Sequence, residues 1–171
     1  MVATDLCPVT LSALFAGAMV LAAVWDVARF EIPDTLSLVL AVTAAVMLSA
    51  AGTGWSGLAS HGLGALAAFA FGVLMFALGQ WGGGDVKLMT ATCLWLGWPA
   101  LVGYGLVVAV AGGVLAGVVL VFRRLALPAA WAARPWLARL HRADEGLPYG
   151  VALGLGGLIY LRPAVASVLG G

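Results

Sequence analysis

Residues 101–122 read LVGYGLVVAVAGGVLAGVVLVF, an uninterrupted apolar stretch without a charged side chain. A helix needs about 20 such residues to cross the roughly 30 Å hydrocarbon core of a bilayer. Over the whole chain of 171 residues, 64% are hydrophobic and 9% are charged, and the mean hydropathy is +1.12. A soluble domain carries about 25% charged residues, so this chain has too few polar side chains to cover a water-facing surface. The composition therefore predicts an all-α protein embedded in lipid.

Apolar segments of this kind recur along the chain, and about six of them qualify as transmembrane helices. They lie near Val9 to Trp25, Thr35 to Ala51, Gly57 to Leu78, Val86 to Leu96, Leu101 to Phe122 and Tyr149 to Leu169. The fourth is the shortest, and we expect it to begin inside a polar cavity of the protein and not at a lipid boundary. Because no tandem repeat or domain boundary divides the chain, residues 1–171 are predicted to form one transmembrane domain.

The basic residues predict the orientation, since Lys and Arg in short loops are retained on the cytoplasmic side. The loops after the first, third and fifth segments contain Arg29, Lys87, Arg123, Arg124, Arg134, Arg139 and Arg142, whereas the two opposite loops contain no Lys or Arg. Both termini are therefore predicted to be extracytoplasmic. The interval at about residues 123–148 also mixes Arg with Trp131 and Trp136, which favours a basic loop lying on the anionic inner leaflet.

Several classes of partner are disfavoured by the same composition. A formal net charge of +1 provides no field that would attract nucleic acid, and none is predicted to bind. The two histidines, His61 and His141, form no H-E-x-x-H motif or Cys/His cluster, and we place His61 in an extracytoplasmic loop. We therefore predict no metal and no other cofactor. The sequence makes no prediction of the oligomeric state.

Two of the acidic residues lie where a membrane protein rarely keeps a carboxylate. Asp26 ends the first predicted span and Asp85 begins the fourth, so the topology places both on the cytoplasmic side at a similar depth. An ionisable group at the centre of a membrane helix costs about 2.5 to 3.5 kcal/mol, and such groups usually face a polar cavity. Structural roles are also open: Asp85 as a helix N-cap after a glycine turn, and Asp26 as a solvated carboxylate paired with Arg29.

Two carboxylates that meet in a cavity of low dielectric cannot both ionise easily, so one keeps a proton. A water held between them would then face a general base and a general acid, the arrangement that hydrolyses peptide bonds in aspartic proteases. The three glycines Gly82, Gly83 and Gly84 leave the backbone beside Asp85 uncovered. An extended substrate could lie against that backbone and pair with it.

These residues also resemble a known family. Gly82-Gly83-Gly84-Asp85 satisfies the GxGD motif of intramembrane aspartyl proteases, and residues 84–88 resemble the second active-site motif of type IV prepilin peptidases. Residues 26–34, DVARFEIPD, resemble the first motif, with Asp34 where Asn is usual; both residue types are good N-caps for the second helix. Residues 147–152, LPYGVA, resemble the Pro-Tyr-Gly segment that opens the last helix of the family.

The resemblance implies a peptidase that removes short basic leaders from prepilin-like precursors at the cytoplasmic face of the prokaryotic inner membrane. Asp26 and Asp85 match the two catalytic aspartates. Substrate-binding or supporting roles are implied for Gly82, Gly83, Gly84, Lys87, Pro148, Tyr149 and Gly150. The chain is similar to the short form that serves Flp-type, or tight-adherence, pili, because it lacks the cysteine-rich domain of the larger enzymes; methylation of the product is accordingly not predicted. Lys87 is open to two interpretations: it stabilises negative charge in the site, or it anchors the fourth helix at the cytoplasmic face. Tyr149 is also open to a second interpretation, as part of the aromatic belt at the membrane interface.

Three alternatives stay open. A proton-coupled transporter or channel would also keep intramembrane carboxylates, although it would use them near the bilayer midplane. An archaeal preflagellin peptidase shares the GxGD motif. A non-catalytic membrane subunit would need only glycines for helix packing, such as Gly113-x-x-x-Gly117 and Gly150-x-x-x-Gly154, both of which predict close approach between helices.

Overall fold

The computed structural model describes residues 2–128, 131 and 133–169, and the side chains of residues 9–128, 131 and 133–161. Within these residues the chain forms seven α-helices, a single 3-10 turn at Trp98–Ala100 and no β-strand. The helices are α1 (Val2–Arg29), α2 (Asp34–Ala50), α3 (Trp55–Ala77), α4 (Gly83–Leu96), α5 (Leu101–Arg124), α6 (Pro135–His141) and α7 (Gly150–Leu169). The all-α prediction is confirmed for the described part of the chain.

Three helical stretches have the length and apolar composition of a membrane span: Val9–Arg29, Trp55–Ala77 and Trp98–Arg124. The helices α2 and α7 are apolar over shorter described stretches, and α4 has 14 residues, so the count of six spans stays a prediction. The outer face of α5 is covered with aliphatic side chains, and Val102, Val110 and Val114 are 63% to 73% exposed. Such a continuous apolar stripe suits contact with lipid, since a water-facing helix would carry polar residues there.

The short helix α4 lies at the centre of the helices and packs against α2, α3 and α7. Leu88, Cys93 and Trp95 on this helix have no exposed surface. The indole N–H of Trp95 donates to the backbone carbonyl of Leu40 in α2 at 2.8 Å, which satisfies its one buried polar atom. Because protein and not lipid surrounds α4, the helix can be shorter than the bilayer is thick.

Glycines set the spacing between α1 and α7. A Cβ added at Gly154 would lie 2.9 Å from the carbonyl oxygen of Met19, so the two backbones approach as closely as a glycine allows. The prediction of close approach at Gly150-x-x-x-Gly154 is confirmed. The corresponding prediction for α5 is wrong, because a Cβ at Gly113 or Gly117 meets nothing within 4 Å. On α5 the close contact is made by Gly112, which lies about 100° around the helix from Gly113. The side chain of Tyr149, the residue directly before α7, packs against it.

Two further predictions concern the ends of the helices. His61 was expected in a loop but lies within α3, 8% exposed, where its Nδ1 donates to the carbonyl of Leu94 at 2.8 Å. The loop prediction fails because α3 already begins at Trp55. The predicted interfacial loop, of which residues 129, 130 and 132 lie outside the described residues, contains the short helix α6. Arg123 holds this loop to the end of α5 by donating to the carbonyls of Leu140 and Glu145.

Candidate active site

Asp26 lies near the end of α1 and is only 6% exposed. The helix stops because Phe30 adopts a left-handed backbone conformation (φ 57°) while its N–H donates to the carbonyl of Asp26 at 2.7 Å. This sharp turn sends the chain back, so that Ile32 is buried close to Gly84 and Gly150. The end of α1 is therefore fixed by backbone geometry, and the carboxyl group of Asp26 stays inside the protein.

The carboxylate of Asp26 is held from a distant part of the chain. Its Oδ2 accepts a hydrogen bond from the backbone N–H of Gly150 at 2.7 Å. Gly150 is the first residue of α7, where backbone N–H groups lack partners within their own helix and favour negative charge. The solvated role considered for Asp26 is therefore wrong, and Arg29 lies instead over the ring of Trp25, 4.6 Å from its centroid.

Asp85 is positioned by the glycine turn that leads into α4. Gly82 occupies the N-cap position with an extended backbone, and Asp85 is the third residue of the helix. The Oδ2 of Asp85 accepts from the N–H of Gly82 at 2.9 Å, which is the backward half of a capping box. Asp85 therefore caps α4 from the third helical position, whereas the N-cap position predicted for it is occupied by Gly82.

The two carboxyl groups share one cavity of about 430 Å³. Its lining residues are Asp26, Phe30, Glu31, Ile32, Asp34, Gly82, Gly83, Gly84 and Asp85. Since a water takes up about 30 Å³ in the liquid, the cavity has room for several waters or for part of a peptide. The structure thus brings together the predicted carboxylate pair and all three glycines of the GxGD motif.

One carboxylate oxygen of Asp85 has no hydrogen-bond partner among the described residues. Asp85 is 8% exposed, and its Oδ1 is buried without a hydrogen bond to any described residue. A buried carboxylate oxygen left in this state is costly, by about 1–3 kcal/mol for an unsatisfied polar group. A water or a substrate hydroxyl in the cavity would remove that cost, so the site is suited to bind one next to Asp85.

Lys87 lies outside this arrangement. Its Nζ is 2.7 Å from both carboxylate oxygens of Asp34, and both side chains are more than half exposed. The pair links the start of α2 to α4. Among the described residues, neither Asp26 nor Asp85 forms an ion pair. An exposed pair of this kind contributes about 0–1 kcal/mol. The N-cap of α2 is Pro33, so the capping role predicted for Asp34 is wrong.

The Pro-Tyr-Gly segment reaches the carboxylate site through the backbone of Gly150, while its aromatic ring packs against Trp81. Pro148 is buried, and the half-buried ring of Tyr149 lies 5.5 Å from that of Trp81, measured between centroids. Trp81 belongs to none of the sequence motifs, and its only signal in the sequence is its position directly before the first glycine of GxGD. Among the described residues, no group of three or more His, Cys, Asp and Glu side chains could hold a metal ion.

Membrane-length apolar helices around a buried carboxylate pair define this chain as an integral membrane protein with a site suited to acid–base chemistry. A model of the type IV leader peptidase family matches residues 13–122, and the chain belongs to that family. Searches of curated proteins and of solved structures each found no match. The family is one of aspartic-type proteases, so the resemblance to prepilin peptidases is confirmed, and the transporter and the non-catalytic subunit lose support. The matched stretch contains Asp26 and Asp85 but ends before the Pro-Tyr-Gly segment.

Proposed function

We propose that this chain is an intramembrane aspartic endopeptidase in which Asp26 and Asp85 form the catalytic pair. Its substrates are prepilins of the Flp, or tight-adherence, type, from which it removes the leader peptide at the cytoplasmic face of the membrane. One observation carries the proposal. Two buried carboxylates, from helices that are far apart in the sequence, line the same cavity, and a backbone N–H donates to one oxygen of each.

The proposed reaction uses one proton shared between the two aspartates. The ionised carboxylate removes a proton from a bound water, whose oxygen attacks the carbonyl carbon of the scissile peptide bond. The protonated carboxyl donates its proton to the carbonyl oxygen, which gives a tetrahedral diol. The first carboxyl then returns its proton to the leaving nitrogen, while the second, now ionised, takes a proton from one hydroxyl of the diol. The C–N bond breaks, the products are a carboxylic acid and an amine, and the shared proton is back on the second aspartate. The unpartnered Oδ1 of Asp85 supports this scheme, since it offers the water an acceptor.

The lining of the cavity supports a peptide substrate with a basic leader. Gly83 has open space where a side chain would be, so an extended chain can approach the backbone beside Asp85. The charge of Asp34 is balanced by Lys87, but Glu31 also lines the cavity and leaves a negative charge there. Lys and Arg residues of a leader would be attracted to that charge.

Coexpression with candidate precursors tests the reaction. We expect a tagged Flp-type prepilin to be shortened by its leader when it is coexpressed with this chain in a host without its own prepilin peptidase. A preflagellin tested in the same way separates the archaeal alternative from the bacterial one. The product is measured by its mobility and by mass spectrometry of its new amino terminus. A prepilin that stays at full length beside a correctly inserted chain would overturn the proposal.

The predicted orientation is tested by labelling single cysteines with a membrane-impermeant maleimide. We expect Glu31→Cys at the mouth of the cavity to react only in inverted membrane vesicles, because the cavity is proposed to open to the cytoplasm. Ser56→Cys, an exposed residue at the start of α3, should react only from the other side. Both variants use a Cys7→Ser background, and Cys93 has no exposed surface to react. Labelling of both cysteines from one side would contradict the topology.

A further inference from the structure

Two aromatic rings contact each other next to the residues whose backbone N–H groups hold the two carboxylates. The rings of Trp81 and Tyr149 lie 5.5 Å apart at an angle of 48°. Trp81 is also held edge-on against Phe71 of α3, at 5.6 Å between centroids. Tyr149 is held from the other side by α5, because a Cβ added at Gly112 would lie 2.7 to 2.9 Å from the atoms of the phenol ring. The ring pair therefore spans the space between α3 and α5.

Each ring directly precedes one of the two backbone donors that hold the carboxylates. The residue after Trp81 is Gly82, whose N–H donates to Asp85, and the residue after Tyr149 is Gly150, whose N–H donates to Asp26. A peptide unit is planar, so its N–H turns with the Cα of the residue before it. A shift of either ring's backbone would therefore redirect the hydrogen bond to the neighbouring carboxylate.

We propose that the contact between Trp81 and Tyr149 sets the spacing of the two carboxylates by fixing their backbone donors relative to each other. This inference rests on the proposed function of Asp26 and Asp85. The two rings are positioning residues, since neither lines the carboxylate cavity. Both line a separate apolar cavity of about 420 Å³ between α3 and α5.

A substitution remote from the carboxylates provides the first test. Gly112→Ala places a methyl group into the phenol ring of Tyr149 and must displace it, whereas Gly113→Ala on the same helix enters open space. Because misplacement of reacting groups by about 1 Å can lower a rate by about 10²-fold, we expect kcat for leader cleavage to fall by at least about tenfold in Gly112→Ala. KM should stay within about twofold in both variants, since the substrate site is untouched. Gly113→Ala should cleave like the wild type.

The ring contact itself is tested by Trp81→Leu, Tyr149→Leu and the double variant. We expect each single substitution to lower kcat to a similar extent and the double variant to be no slower than either, because all three remove the same contact. Trp81→Phe and Tyr149→Phe keep an aromatic face and should recover most of the rate. Thermal unfolding in detergent shows whether each variant is folded.

Two results would overturn the inference. One is a kcat in Gly112→Ala equal to that of Gly113→Ala, and the other is a double variant whose loss equals the product of the two single losses. If a leucine variant fails to fold, Gly112→Ala and the phenylalanine variants still decide the question. Failure of the proposed function gives a different result, in which the wild-type chain does not cleave a prepilin at all.

Discussion

Replacing Asp26 or Asp85 by Asn is expected to lower leader cleavage by about 10³-fold or more, because either change removes one member of a general acid–base pair. An amide can neither take the proton from the water nor supply one to the carbonyl oxygen. The substitution is nearly isosteric, and the amide oxygen can still accept from Gly82 or Gly150, so the fold should be kept. The double variant is expected to be about as inactive as each single one, since both groups serve the same proton transfers.

The measurement is the initial rate of cleavage of a purified prepilin in detergent, with thermal unfolding of each variant recorded in parallel. Asp144→Asn is the matched control, because Asp144 is exposed, pairs with Arg142 and lies outside the lining of the cavity. It should cleave within about twofold of the wild type, as expected for an exposed ion pair. Cleavage above about a tenth of the wild-type rate in either active-site variant would exclude the pair as the catalytic machinery.

The two aspartates could be predicted from the sequence because each lies in a short local pattern. Asp26 ends an apolar run and Asp85 follows a run of glycines, so each is conspicuous in a chain with 9% charged residues. The partners of the carboxylates follow no local pattern. Gly150 holds Asp26 across 124 residues of sequence, and only the packing of α1 against α7 brings them together.

Helix packing was less predictable than helix position. The predicted apolar segments coincide with α1 to α5 and α7, and three of them extend a single residue beyond their helix, since a continuous apolar run is a strong local signal. Which face of a helix meets a neighbour depends on a rotation of about 100° per residue, and a glycine spacing alone does not fix it. For that reason Gly113 and Gly117 were assigned a contact that Gly112 makes instead.

The glycines of the GxGD motif likewise differ in their surroundings, although the sequence treats them alike. A Cβ at Gly84 would lie 3.0 Å from the Cβ of Ile32 and 3.2 Å from its carbonyl oxygen, so a side chain here would force Ile32 to move by a few tenths of an ångström. A Cβ at Gly83 would meet nothing within 4 Å. The interpretation of an uncovered backbone for the substrate therefore applies to Gly83, whereas Gly84 serves the packing of α4 against the turn after α1.

These surroundings predict opposite outcomes for two neighbouring substitutions. Gly84→Ala should push Ile32 and the turn that ends α1, which separates Asp26 from Asp85; we expect cleavage to fall by at least about tenfold. Overpacking of this kind also costs about 1–3 kcal/mol of stability. Gly83→Ala is expected to raise KM for the prepilin with little change in kcat, because the methyl group stands where the extended substrate approaches the backbone. It should also be more stable by about 0.5–1 kcal/mol, because alanine favours the first turn of α4.

The same pair of variants separates packing from substrate contact. If a prepilin needs the bare backbone at Gly83, Gly83→Ala would raise KM while its unfolding temperature stays unchanged or rises. If the motif serves only to bring α4 against Ile32, Gly83→Ala would leave KM unchanged and Gly84→Ala alone would lower kcat. Equal loss in both variants, with equal loss of stability, would contradict the distinction drawn from the structure, because it would mean that both glycines are buried against protein in the active enzyme.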